Sequence, residues 1–132
     1  MDMHSGIVIS KADGRPMYLQ IMEQVNQRVA VGDWPPGHDI PSIRQLAVEL
    51  QVSVITVKRA YLELEREGVI VTQHGKGSSI AIGAHPGPAL LAGNLGRHLT
   101  EAARLAAALG LSDRQLTERL RNAAEQLKEE RQ

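Results

Sequence analysis

Residues 41–68, PSIRQLAVELQVSVITVKRAYLELEREG, decide how the rest of the chain is read. Ser42 followed three residues later by Gln45 forms a capping box, in which each side chain satisfies a free backbone N–H at a helix start. Beyond it Ile43, Leu46, Ala47 and Leu50 recur at helical spacing, so a short helix begins here. Gln51-Val52 leaves room only for a tight connection. Ser53 then caps a second helix, whose inner face is Val57, Ala60, Tyr61 and Leu64. Glu65-Arg66-Glu67-Gly68 closes it as a polar stretch ending in glycine. Two short amphipathic helices joined this closely form a helix-turn-helix pair.

Working outward, Tyr18, Ile21, Met22, Val25 and Val29 trace one face of a preceding helix, from Pro16 to about residue 31. Gly32 and Pro35-Pro36-Gly37 stop it. Residues 1–15 are a polar arm in which Ile7-Val8-Ile9 is a candidate short strand. On the C-terminal side, Val69 to Thr72 is β-branched, His74-Gly75-Lys76-Gly77 is a turn, and Ser78 to Ile82 alternates through Ile80 and Ile82. These predict a β-hairpin. The Pro and Gly residues between Gly83 and Pro88 mark a linker at 84–89. Leu90 to Leu109 is a Leu/Ala-rich helix stopped by Gly110. Ser112 and Gln115 form a second capping box, and Leu111 with Leu116 a hydrophobic staple. Leu116, Leu120, Ala123, Ala124 and Leu127 stripe the last helix. The expected fold is mainly α with a small β-hairpin. A winged helix-turn-helix spans 16–83, and a two-helix dimerisation segment spans 90–132.

Composition narrows the function. With 132 residues the chain is too short for a large catalytic fold, and without cysteine it has no disulfide or thiolate chemistry. No apolar run spans a bilayer and no signal peptide opens the chain, so a cytoplasmic protein with no membrane partner is expected. The histidines are scattered, with His85 and His98 thirteen apart and no carboxylate at ligand spacing. No metal, no cofactor and no catalytic group is therefore assigned. Aromatic residues make up only 2% of the chain, which argues against base stacking on aromatic platforms.

Equal numbers of basic and acidic residues, 15 each, speak against a nucleic-acid partner until they are divided by segment. Within 41–83 the cations Arg44, Lys58, Arg59 and Lys76 fall on elements that can meet a groove. Glu63, Glu65 and Glu67 fall at the far end of the third helix. The start of that helix presents Ser53, Thr56, Lys58 and Arg59 outward, and with Val57 inward, Val54 and Ile55 also point out. Ser42 and Ser53 cap N-termini that favour an anion. The tip His74-Gly75-Lys76-Gly77 is slim and cationic. In such an arrangement the third helix enters the major groove.

The run Pro16-Met17-Tyr18-Leu19-Gln20-Ile21, Gly32, Pro36-Gly37, Ile40-Pro41-Ser42-Ile43-Arg44-Gln45-Leu46-Ala47, Val52-Ser53, Thr56-Val57, Ala60-Tyr61, Leu64, Gly68 and Gly75-Lys76-Gly77 resembles the DNA-binding domain of the GntR family of bacterial transcription regulators. The resemblance implies that Ser42, Arg44, Ser53, Thr56, Lys58, His74, Gly75 and Lys76 contact DNA. In the family's pattern Arg44 and the third helix read bases, and the wing enters the minor groove. One departure stands out. Where the family often has an arginine and a polar residue, this chain has Val54 and Ile55, which substitutes apolar contact with thymine methyls for a guanine reader. The short helical tail resembles the YtrA-type subfamily, whose members usually repress ABC-transporter operons.

The tail carries more leucine than one neighbouring helix can cover. Leu91, Leu95, Leu99, Leu105, Leu109, Leu116, Leu120 and Leu127 are the candidate dimerisation residues. A two-fold homodimer predicts a palindromic double-stranded operator with half-sites about one helical turn apart or slightly more. The tail is too short for a deep cavity within one subunit, so a small-molecule effector would take a shallow site at that interface. The competing reading is a winged-helix protein-interaction module without specific DNA binding, which the zero net charge favours and the Gly75-Lys76-Gly77 tip opposes.

Overall fold

The computed structural model describes residues 5–73, 75–84 and 87–130. In chain order the elements are α1 (Met17–Ala30), β1 (Asp39–Ile40), α2 (Ile43–Leu50), α3 (Val54–Arg66), β2 (Ile70–Gln73), β3 (Gly77–Ile80), α4 (Pro88–Ala108) and α5 (Asp113–Glu130). They fall into two compact units that divide between Ala92 and Gly93.

The first unit is the helix-turn-helix with its wing. Both N-caps form as the spacing predicts. The Ser42 hydroxyl accepts from the Gln45 N–H while the Gln45 side chain accepts from the Ser42 N–H. Ser53 Oγ accepts from the Thr56 N–H at 3.1 Å. Between α2 and α3, Gln51 takes a left-handed conformation at φ 57°, and the Val52 N–H bonds back to the Ala47 carbonyl. This is a glycine-type helix end made by glutamine. The core lies where α1, α2, α3 and the sheet meet: Ile21, Val25, Leu46, Val57, Leu64, Val69, Ile70 and Ile80 are fully buried. Tyr61 donates its hydroxyl to the Pro41 carbonyl at 2.6 Å, tying α3 to the entry of α2. Burial first, and the Glu49 carboxylate second, push its phenol well above the ordinary range.

The sheet departs from a plain hairpin. β1 pairs antiparallel with β3, giving the order β1-β3-β2, with Asp39 opposite Ser79 and Ile40 opposite Ser78. Two residues after a Pro-Pro-Gly turn carry no alternation, so only the partner strand identifies them as sheet. The expected alternation of Ile80 with Ile82 does not hold. β3 ends at Ile80, and the Ala81 N–H still bonds to the Val69 carbonyl. The Ala84 N–H then turns back to the Ala81 carbonyl and leaves Ile82 91% exposed.

The arm forms no strand within its described residues, 5–15. Two glutamines of α1 hold it. The Gln24 side chain pairs with the N–H and carbonyl of Val8, and the Gln20 side chain with those of Ser10. Ile7 enters the core. This is why Gln20, on the flank opposite the apolar stripe of α1, is buried. Arg15 pairs with Asp13 and Glu23, which together raise its basicity.

The second unit is a helix pair, made of α4 from Gly93 onward and α5. α4 runs from Pro88 and so begins inside the stretch read as linker, proline being suited to a first helical turn. Gly110 turns the chain at φ 73°, with the Leu111 N–H bonded to the Ala106 carbonyl. The second capping box is present at Ser112 and Gln115. No residue of α5 is buried. Among the described residues no helix is long and apolar enough to cross a membrane.

Candidate nucleic-acid interface

α3 carries the centre of the site. Its inward stripe of Val57, Ala60, Tyr61 and Leu64 is buried, which turns Ile55, Lys58 and Arg59 outward at 100° per residue. Ile55 is 79% exposed and Val54 46%, so both project as the pattern predicts. Val54 sits nearer the buried flank. Ser53 is exposed at the cap, and its hydroxyl lies 2.8 Å from the Thr56 hydroxyl, which keeps Thr56 half-buried against its own helix end.

α2 packs directly on α3. Ser42 is half-buried at its cap, and Arg44, one residue into the helix, is exposed. The wing tip between β2 and β3 presents Gly75, Lys76 and Gly77, all exposed. Both glycines adopt positive φ, 78° and 81°, and the Lys76 N–H bonds to the Gln73 carbonyl at 2.9 Å. His74 lies outside the described residues. No side chain at the start of α3 other than Lys58 and Arg59 carries a charge, so the positive field there is local and thin.

Arg59 is where structure and sequence part. Its guanidinium carbon sits 3.9 Å from the centroid of the Tyr18 ring, and Nη2 donates to the Tyr18 hydroxyl at 3.3 Å. The side chain is thereby turned sideways, toward the start of α1, instead of straight out along α3. Pro16, Met17, Tyr18, Ile55, Thr56 and Arg59 line an open depression of about 470 Å³. Tyr18 reads in the sequence as part of the α1 core stripe. It does pack half-buried against that core, and its ring and hydroxyl also hold Arg59 at the surface. The two residues are 41 positions apart, so no local spacing could have paired them.

Of the eight leucines read as a dimer surface, Leu91 belongs to the first unit and is half-buried. The other seven belong to the second unit. There Leu95, Leu99, Leu105, Leu109, Leu120 and Leu127 are exposed, and Leu116 is half-buried beside the α5 cap.

Residues 17–80 match the bacterial regulatory proteins of the gntR family. The chain is 40% identical over 75 residues to the HTH-type transcriptional repressor YtrA of Bacillus subtilis, covering 57% of this chain and 58% of that protein. It therefore spans little more than half the length of that relative. Among solved structures, a transcriptional antiterminator from Listeria monocytogenes is 31% identical with a TM-score of 0.56, covering 88% of this chain and 87% of that one. YtrA from Sulfolobus acidocaldarius, a GntR-family transcription factor, is 27% identical with a TM-score of 0.53, covering 91% and 97%. The likenesses to the two solved structures reach past the winged unit into the helical tail.

Proposed function

The chain belongs to the gntR family of bacterial regulatory proteins, and from that premise we propose that it is a repressor that binds a palindromic operator as a homodimer. The observation that carries the reading is the outward face of α3: Ile55, Lys58 and Arg59 stand exposed on a helix whose opposite face is the core of the winged unit. Arg44, beside it on α2, supplies the fork that reads guanine in the major groove, worth about 1–3 kcal/mol. Lys76, on the glycine-flanked wing tip, meets the minor groove. The proposed backbone contacts are the helix starts at Ser42 and Ser53, where unpaired N–H groups favour phosphate.

Dimerisation rests on the second unit. Leu120 and Leu127 are 55% and 60% exposed on a helix with no buried residue, and the α4 leucines add to the uncovered apolar area. A second copy would remove that area from water at about 25 cal/mol per Å². The likeness to short YtrA-type regulators extends the proposal to an ABC-transporter operon as the target, tested by whether deleting the gene raises transcripts of an adjacent transporter.

The direct test is fluorescence anisotropy with duplexes from the intergenic DNA upstream of the gene. The full chain is expected to bind one duplex specifically, and Arg44→Ala to weaken that binding by about 1–3 kcal/mol without changing the fold. An unchanged affinity overturns the role of Arg44. Failure to bind any duplex overturns the DNA reading in favour of a protein-interaction module. Sedimentation at micromolar concentration checks the dimer, and a strict monomer overturns it.

A further inference from the structure

We propose that Ile55 is a specificity residue that reads the C5-methyl group of thymine, so that each operator half-site carries thymine where the start of α3 meets the major groove. The inference rests on the DNA-binding reading above and sharpens what that site recognises.

Three observations carry it. Ile55 lies in the first turn of α3, at the centre of its outward face, and is 79% exposed. An apolar side chain that large gains nothing from water, and a groove floor offers it one apolar partner, the thymine methyl. The nearest long cation on the same stripe, Arg59, is held by stacking and a hydrogen bond to Tyr18. Its guanidinium is thereby directed to the flank of α3, toward the start of α1, and is held away from the outward side of Ile55. Val54, at 46% exposure and nearer the buried flank, is less able to reach the groove floor. Ile55 is thus the more exposed of the two apolar side chains that open α3. Lys58 and Arg59, three and four residues on, hold it against an anionic partner.

The chemistry is discriminating in one direction. Thymine presents a methyl at C5, whereas uracil presents hydrogen with the same hydrogen-bonding groups. Replacing that base by deoxyuridine removes the methyl and little else.

The test selects duplexes from a random library with the full-length chain and then measures affinity for the selected duplex with single thymines replaced by deoxyuridine. Burial of one methyl corresponds to about a fourfold change in Kd. The expected result is a loss of about that size at one thymine per half-site with the wild-type chain, and no loss at that base with Ile55→Ala. Ile55→Ala is also expected to relax the preference for thymine at that position when the selection is repeated. Circular dichroism of the variant checks that the fold is intact, as expected for a substitution on an exposed side chain. Deoxyuridine tolerated everywhere within twofold overturns the proposal, and so does methyl sensitivity that persists in Ile55→Ala. A selection that enriches no sequence overturns the DNA-binding reading itself, an outcome distinct from either of these.

Discussion

The contact between Tyr18 and Arg59 yields the sharpest quantitative expectation. Tyr18→Leu keeps an apolar side chain at a half-buried position but removes the ring face and the hydroxyl. Arg59→Met keeps the length of the stem and removes the charge. The guanidinium lies 3.9 Å from the ring centroid at an exposed site, where a cation–π contact is worth roughly 0.5–1 kcal/mol. The 3.3 Å bond to the hydroxyl is long and solvent-facing, so it adds about 0.5 kcal/mol at most. A double-mutant cycle in urea should therefore return a coupling of about 1 kcal/mol between the two positions. The same pair has a binding signature. On the proposed DNA-binding reading an arginine turned to the flank of α3 would meet phosphate, so Arg59→Met should weaken specific and non-specific duplexes by the same factor. It should also lower the slope of log Kobs against log salt by about 0.9. A coupling below about 0.3 kcal/mol would refute the contact. A loss confined to the specific duplex would refute the phosphate assignment and place Arg59 among the base readers.

Other positions give independent checks. Asn26 is fully buried on α1, and neither of its amide atoms has a hydrogen-bond partner among the described residues. Asn26→Leu should raise stability by about 1–3 kcal/mol in denaturant melts, and a loss would mean that the amide is bonded in solution. Gln51 ends α2 at φ 57°, a conformation that favours glycine. Gln51→Gly should stabilise by up to about 1 kcal/mol and raise the melting temperature, while Gln51→Val should lower it. Tyr61 donates to the Pro41 carbonyl from a buried site that holds its proton. Tyr61→Phe should cost about 1–3 kcal/mol at neutral pH. Because the folded state raises this pKa, the tyrosine's contribution is complete below the unfolded value of about 10 and is lost above it. The gap between wild type and Tyr61→Phe should accordingly narrow as pH rises past about 10, and a constant gap would contradict the raised pKa.

The winged scaffold was legible because its signals are local. A capping box spans three residues, an amphipathic face repeats every three or four, and a glycine ends a helix where it stands, so α1, α2, α3 and the caps of α3 and α5 followed from spacing. The exposed start of α3 was legible for the same reason: once Val57, Ala60, Tyr61 and Leu64 face inward, Ile55 and Lys58 have only the outside left.

What sequence alone determined, then, is which residues form each helix, which face each helix buries and which family the pattern resembles. Only the tertiary structure decided what joins distant positions. It docked the arm through Gln20 and Gln24 and buried Ile7. It recruited Asp39-Ile40 as a third strand and laid Arg59 on Tyr18 across 41 residues. The physical reason is common to all three, the arm, the strand and the stacked arginine. A side-chain amide that pairs with a remote backbone, a two-residue strand and a cation seeking an aromatic face each leave no period in the chain. Their partners are chosen only when the core has brought the elements together.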